Sequence, residues 1–408
     1  MSAVPGRPAS SFRVPGYRYL WITGWLWHVA RWMAIFATTF RVNEQTGDPL
    51  LVQLVGASFM APMFLGGALA GTITDRLDRH RTVARALGFL IPLSGLMGLA
   101  VAADQAPVGV SYLFVFCVGV GNVLDMTCRR TIAFGLVGAG LITNAGALET
   151  FALHAGNMVG SLGGGAIIDA FDAAWVYAMV GLVYAAATGS FARAGRVAGR
   201  DQPPRASTAS TTVGDDLRAA LGLVRRHAVL RQFLMTTVLM NFFYYAFMPL
   251  VPVFAEDLGV GAFETGLLAS ALGAGTMTGA LVVARIEPRR PGRLHVVGSL
   301  GAMIMLIVFA NLTWYPAALG SLFVAGLSGS GFGTTQAALV VSLVDESLRG
   351  RALGVLSMAI GALPFGMFSL GLIAQRTDPQ QALTLSVGVG IVLHLGWQAT
   401  HPHLGTLR

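Results

Sequence analysis

The chain has 408 residues, 54% of them hydrophobic and 11% charged, against about 25% charged in an ordinary soluble protein. So few charges cannot cover a soluble surface. A mean hydropathy of +0.66, with apolar residues in blocks of about 20, makes this a polytopic membrane protein. The net charge of +8 comes from 27 basic and 19 acidic residues, every basic one an arginine. These arginines sit in short clusters between apolar blocks, with no long basic stripe, which argues for membrane topology and against nucleic acid.

In chain order the apolar blocks run 17–40, 50–73, 83–102, 109–127, 142–167 and 173–192, then 232–255, 262–284, 294–312, 316–340, 352–375 and 381–399. The first follows Arg7, Arg13 and Arg18 as the core of a signal peptide would. It is about 22 residues long with eleven more blocks behind it, and it reads as a retained span. Each block is long enough to cross about 30 Å of hydrocarbon as a helix, the open-ended structure that satisfies its own backbone there. The fold class is all-α, with twelve transmembrane helices in two six-helix bundles. The division expected is 1–192 for the first bundle, 193–231 for a linker and 232–408 for the second. Within the linker, Leu217, Leu221, Val224 and Leu230 fall near helical spacing among arginines. The segment from Asp215 to Arg231 fits a helix lying on the membrane surface or a solvated connector. Cys117 and Cys128 give no disulfide framework.

Placing both termini in the cytoplasm puts 24 of the 27 arginines on that side and leaves Arg41 and Arg376 outside and Arg31 within a span. Glu44, Asp48, Asp104, Asp169, Asp172, Glu256, Asp257, Glu264 and Asp378 then fall outside. That asymmetry is the positive-inside pattern.

Between the second and third blocks lies GTITDRLDRHR, with Gly71, Asp75, Arg76, Arg79 and Arg81. A glycine lets two helices approach closely, and an aspartate at a helix end can be held by basic groups in one gate state and released in the other. The plainer account is an ordinary positive-inside cluster. At this motif the chain resembles the major facilitator superfamily. The matching loop of the second half, GALVVARIEPRR, keeps Arg285, Arg289 and Arg290 but has Ala284 in place of the aspartate, which implies a weaker latch. Asp125, Arg129 and Arg130 close NVLDMTCRR, similar to the drug and siderophore exporter branch. By that resemblance Asp125 and Arg129 join the gate, with structural pairing the plainer role of Asp125. Gly156, Gly160, Gly163 and Gly164 resemble the exporter-associated glycine motif, with Ser161 where its proline is expected, although small residues also serve close helix packing in general. Asp345, Arg349, Gly350, Arg351 and Pro364 resemble the enterobactin-exporter-like group, and the likeness covers nearly the whole chain.

An ionisable group near mid-bilayer costs about 2.5 to 3.5 kcal/mol even on the milder insertion scale, so charged residues inside spans are the strongest site candidates. His28 and Arg31 share a face of the first helix, and a cation there calls for an anionic substrate or an internal carboxylate partner. Glu149 and His154 in the fifth helix complement them: Glu149, less deep, snorkels or pairs at the cytoplasmic mouth or else carries a proton, and His154, deeper, can titrate near neutrality. Asn241, Tyr244 and Tyr245 in the seventh helix and Gln336 in the tenth can bind a polar aromatic ligand or pack helices. GAGTMTG from Gly273 to Gly279 imitates a dinucleotide loop but lies in an apolar span with no strand before it. No metal spacing, Walker loop or catalytic triad stands out, so neither an enzyme nor a resident cofactor is expected.

The resemblance implies a monomeric multi-pass transporter of the bacterial inner membrane. It would export a small amphipathic metabolite, siderophore or drug-like compound by alternating access, with the proton gradient as energy source. An importer or uniporter of an organic anion and a transport-silent receptor are the alternatives.

Overall fold

The computed structural model describes residues 10–74, 78–198, 222, 224–286, 290–342 and 349–401. Among them there is no strand, and twelve helical spans run in antiparallel succession. The first six are α1 (Tyr17–Thr46), α2 (Pro49–Thr74), α3 (Arg79–Ala102), α4 (Val108–Val137), α5 (Ile142–Ala170) and α6 (Ala173–Ala198). Then come α7 (Ala228–Asp257), α8 (Ala262–Ile286), α9 (Pro291–Ala310), α10 (Tyr315–Ser342), α11 in two pieces, Arg349–Ile360 and Leu363–Arg376, and α12 (Pro379–Thr400). Several helices outrun their apolar blocks: α1 reaches Thr46, α4 reaches Val137, α6 extends to Ala198 and α7 begins at Ala228. Hydropathy reports the hydrocarbon-facing length, whereas backbone hydrogen bonding carries each helix on through the interface. Of the amphipathic segment expected over Asp215–Arg231, residues 215–221 and 223 lie outside the described residues, and Ala228 to Arg231 form the start of α7.

Local chemistry sets the ends. Gly16 (φ 84°) and Gly47 (φ 56°) bracket α1 in left-handed conformation, which side chains disfavour. Asp78 caps α3 by accepting the Arg81 backbone N–H at 3.0 Å, and this bond holds its carboxyl below the usual aspartate range. Asp378 caps α12 in the same way through Gln381, ahead of Pro379 in the first helical turn.

The surface is apolar where lipid would lie. Leu99 and Val392 are each 69% exposed, and Phe89, Leu113 and Leu182 are exposed with them. Among the described residues, eight helices are long and apolar enough to cross a membrane by length and composition. Neither α1 nor α5 is among these, and they carry Arg31 and Glu149.

In the first bundle α1 packs against α5 and α6, α3 against α6, and α2 against α4. In the second, α10 lies between α8 and α9, and α12 flanks α9. The bundles meet along two helix pairs, α5 with α8 and α2 with α11. Both seams rest on glycine. A Cβ at Gly266 would stand 2.7 Å from the Ser161 carbonyl oxygen, and one at Gly371 of α11 would stand 3.1 Å from the Leu50 Cα of α2. Hydrogen bonds join the bundles in and beside these seams: Ser270 Oγ to the Met158 carbonyl at 2.9 Å between α8 and α5, Gln375 of α11 to Asp48 before α2 at 2.7 Å, and, to α7, Gln53 Nε2 to the Ala246 carbonyl at 2.9 Å and Asn43 of α1 to Glu256 at 2.7 Å. These contacts lie toward the acidic end, which is closed.

The expected glycine motif is a packing device within the first bundle. A Cβ at Gly156 would collide with the backbone and Cβ of His28, one at Gly160 would stand 2.5 Å from the Val29 carbonyl, and one at Gly164 would stand 2.9 Å from the Phe36 ring. Gly163 faces only the tip of Met33. Ser161 is buried, and α5 continues unbroken through it. Gly160→Leu therefore meets backbone that cannot yield and should destabilise the protein by about 1 to 3 kcal/mol. The check is thermal unfolding in detergent, with Gly95→Leu, where a Cβ meets nothing within 4 Å, unfolding like the parent.

Candidate functional site

The polar centre of the first bundle is built on an irregular turn of α4. Residues Asp125–Arg129 form a π turn, closed by the Arg130 backbone N–H donating to the Asp125 carbonyl. Such turns insert one residue into a helix and are frequent at functional sites. Here the turn sets Asp125 and Arg129 side by side: Arg129 Nε donates to Asp125 Oδ1 at 2.5 Å and Nη2 to Oδ2 at 3.1 Å. The other edge of the guanidinium meets α5, with Nη1 to Glu149 Oε1 at 2.9 Å and Nη2 to Oε2 at 2.8 Å. Arg129 is fully buried, and Asp125 and Glu149 are each 3% exposed. Arg130 adds a longer contact to Glu149, 3.6 Å from Nε. Two forks on one planar cation are the geometry a guanidinium offers and an ammonium lacks.

The guanidinium fits because Gly24 of α1 has no side chain. A Cβ there would stand 2.5 Å from the central carbon of the Arg129 guanidinium. Arg129 Nη1 also points to the Leu20 carbonyl at 3.4 Å. The cluster thus joins α1, α4 and α5 about two turns from their arginine-rich ends. Asp125 finds its ion-pair partner in its own helix.

Deeper along α1, about 21 Å from its start at 1.5 Å per residue, Arg31 is 6% exposed. Its Nη1 donates to Asn122 Oδ1 of α4 at 2.6 Å, and its guanidinium lies 5.0 Å from the Trp32 ring centre and 5.7 Å from that of Phe59. Its Nε is buried without a partner. Asp125, Glu149, Arg129 and Arg130 sum to zero charge, so Arg31 is a surplus cation held by an amide and two ring faces. His28, one turn away, is fully buried with neither ring nitrogen hydrogen-bonded. His154 on α5 is half-buried.

The second-bundle candidates do not converge on this cluster. Asn241 gives its amide to the Thr237 carbonyl of its own helix at 2.9 Å. Tyr244 and Tyr245 stack edge to face at 4.9 Å, and Tyr245 approaches Phe332 at 6.2 Å. They lie where α7 leaves α geometry, as a π turn over Met240–Tyr244 and a 3-10 turn over Tyr245–Leu250. Gln336 is half-buried on α10. Of the first loop, Arg81 pairs with Asp78 at 3.2 Å in an exposed contact, and Arg79 begins α3. Asp75 and Arg76 lie outside the described residues, as does Asp345; the side-chain surroundings of Gly71 at the end of α2 lie outside them too.

Sequence reasoning passed over Asn122 and Gly24. Asn122 carried a signal, an amide inside an apolar block three residues before Asp125. Gly24 carried none, since its role depends on a guanidinium about a hundred residues away.

A model of the Major Facilitator Superfamily matches residues 20–368. The enterobactin exporter EntS of Shigella boydii serotype 4 is 23% identical over 392 residues, covering 93% of this chain and 90% of that one. EntS of Escherichia coli O1:K1 matches to the same extent. Among solved structures, a POT family transporter in complex with 5-aminolevulinic acid has a TM-score of 0.77 at 11% identity, covering 95% of this chain and 96% of that one. A D-xylose-proton symporter has a TM-score of 0.70 at 17% identity, covering 96% and 99%. These structures share the fold, twelve helices in two bundles. With the family model spanning most of the chain and the architecture agreeing, the protein belongs to the major facilitator superfamily and is a membrane transporter, not an enzyme.

Proposed function

We propose that this transporter exports a small amphipathic metabolite, siderophore or drug-like compound across the bacterial inner membrane in exchange for protons, with both termini in the cytoplasm. The similarity to enterobactin exporters over nearly the full length supports the direction and the substrate class. The observation that carries the coupling is the Glu149 carboxylate, shared between Arg129 and Arg130 on a helix that packs against both α1 and the opposite bundle. A proton taken up by Glu149 removes one fork of Arg129 and loosens α5 from α4. Because α5 also forms a seam with α8, the change reaches the contacts that close the acidic end. Alternating access then amounts to breaking the seams of α5 with α8 and α2 with α11 while each bundle moves as a unit. Asp75, Arg76, Arg79 and Arg81 serve as the latch of the arginine-rich side in this reading, and the working unit is a monomer without a cofactor.

Arg31 favours a second reading, import or uniport of an organic anion, since a surplus cation in the bundle interior is best matched by a negative group on the substrate. Under either reading the ligand carries an acidic group facing α1.

Transport into inside-out vesicles separates the two. Under an imposed pH gradient, acidic inside, export by proton exchange predicts gradient-driven accumulation of a candidate amphipathic acid. Glu149→Gln should lower this by about a hundredfold or more, the range of a lost proton-transfer group. Accumulation indifferent to the gradient rejects proton exchange.

Asp75→Asn should abolish flux while membrane insertion stays normal, assayed by protease protection and uptake in the same vesicles. Normal flux in that variant rejects the latch.

Arg31→Gln should weaken binding of an anionic substrate about tenfold to a hundredfold, the loss of one charge-assisted hydrogen bond. Binding of a neutral analogue of similar size should be preserved, measured by tryptophan fluorescence quenching. Equal loss for both ligands would mean that Arg31 has only a structural role.

A further inference from the structure

A groove runs between α1 and α6 at their arginine-rich ends, away from the charge cluster. It has a volume of about 560 Å³ and is lined by Tyr19, Ile22 and Leu26 of α1 and by Ala186, Gly189 and Arg193, among others, of α6. On each helix these positions fall three or four residues apart, so two faces form the walls. Small residues on α6 create the space: a Cβ at Gly189 meets nothing within 4 Å. The floor is a helix contact, Ser190 Oγ donating to the Tyr19 carbonyl at 2.9 Å.

The chemistry is graded along the groove. Leu26, Ile22 and Ala186 line the deeper end, and Arg193 and Arg196 line the rim with Tyr19. Both arginines are exposed. Arg18 adds a third cation beside them, its guanidinium donating to the Tyr19 hydroxyl at 2.9 Å. Among the described residues, no acidic side chain lines the groove. From Ala186 to Arg196 the helix rises about 15 Å, half of the roughly 30 Å of hydrocarbon in a bilayer. An apolar cleft one leaflet deep with cations at its mouth has the dimensions and charge order of a phospholipid, acyl chain inward and headgroup outward.

We propose that this groove is a binding site for an anionic glycerophospholipid, its phosphate held by Arg193 and Arg196 and one acyl chain lying along Gly189 and Ala186. Basic pockets between transmembrane helices bind acidic headgroups by this combination of charge and apolar contact. The lipid sits on α1, the helix that holds Gly24 against Arg129 and carries His28 and Arg31. Its presence would brace that helix beside α6, on the face that continues from Ile22 and Leu26 toward Val29.

The test is native mass spectrometry of the full-length protein, titrated in turn with phosphatidylglycerol and phosphatidylcholine of equal chain length. The wild type should favour phosphatidylglycerol about thirtyfold, from two surface cations acting together. Arg193→Gln with Arg196→Gln should abolish the preference. Gly189→Leu, whose Cβ meets nothing within 4 Å, projects into the cleft and should abolish retention with both arginines in place; thermal unfolding of each variant without added lipid checks that it is folded. The proposal is overturned if the double variant keeps the preference, if Gly189→Leu binds as the wild type does, or if inorganic phosphate displaces the lipid at millimolar concentration. Displacement would mean that the arginines hold a free anion and that the cleft is irrelevant.

Discussion

The structure turns on one buried cation. Arg129 is fully enclosed within a bundle whose outer surface is hydrocarbon, and an isolated charge in such surroundings is untenable. Its position therefore requires Asp125 and Glu149 in fork geometry, a notch at Gly24 to hold the guanidinium plane, and close packing of α1, α4 and α5 to keep water out. Removing one partner of such a pair typically costs about 3 to 5 kcal/mol, because the other charge is left buried. In the proposed proton exchange this pairing is what a proton on Glu149 would have to break, against two guanidinium groups that favour the ionised carboxylate.

The glycines make that response mechanical. On α5 they face two ways: Gly156, Gly160 and Gly164 lie on α1, while Gly165 packs against the Ala262 backbone of α8. Helices in contact through backbone rather than long side chains have little slack, so a small shift of α5 in one bundle is felt by α8 in the other. This directness suits a transporter whose halves move as rigid bodies.

The sequence displayed the frame more plainly than the centre. Twelve apolar blocks and lopsided arginines lead directly to the helix count, because hydrocarbon imposes one strong constraint on length and composition. Arg31, Glu149 and His28 were visible as charges or imidazoles where the bilayer penalises them. The pairing of Arg129 with Glu149 was not legible. Arg129 ends an apolar block beside Arg130 and looks like a topology marker, and only the π turn and the notch at Gly24 draw it inward. The glycine motif was legible as residues but ambiguous as purpose, and in the structure three of its four glycines lie against α1 at His28, Val29 and Phe36. The seventh-helix tyrosines looked like ligand groups because aromatic hydroxyls suit polar ligands, yet they meet each other and Phe332 where the helix changes its winding.

The π turn at Asp125–Arg129 also fixes which of two adjacent arginines does which job. One residue more than a regular helix needs is stored there, so every side chain beyond it is turned by about 100° from the register that precedes it. If that turn relaxed to α geometry, each side chain beyond it would advance by one position, and Arg129 would leave the notch at Gly24 for the place Arg130 now occupies. The winding of this single turn is what aims the first arginine of the doublet at the carboxylates.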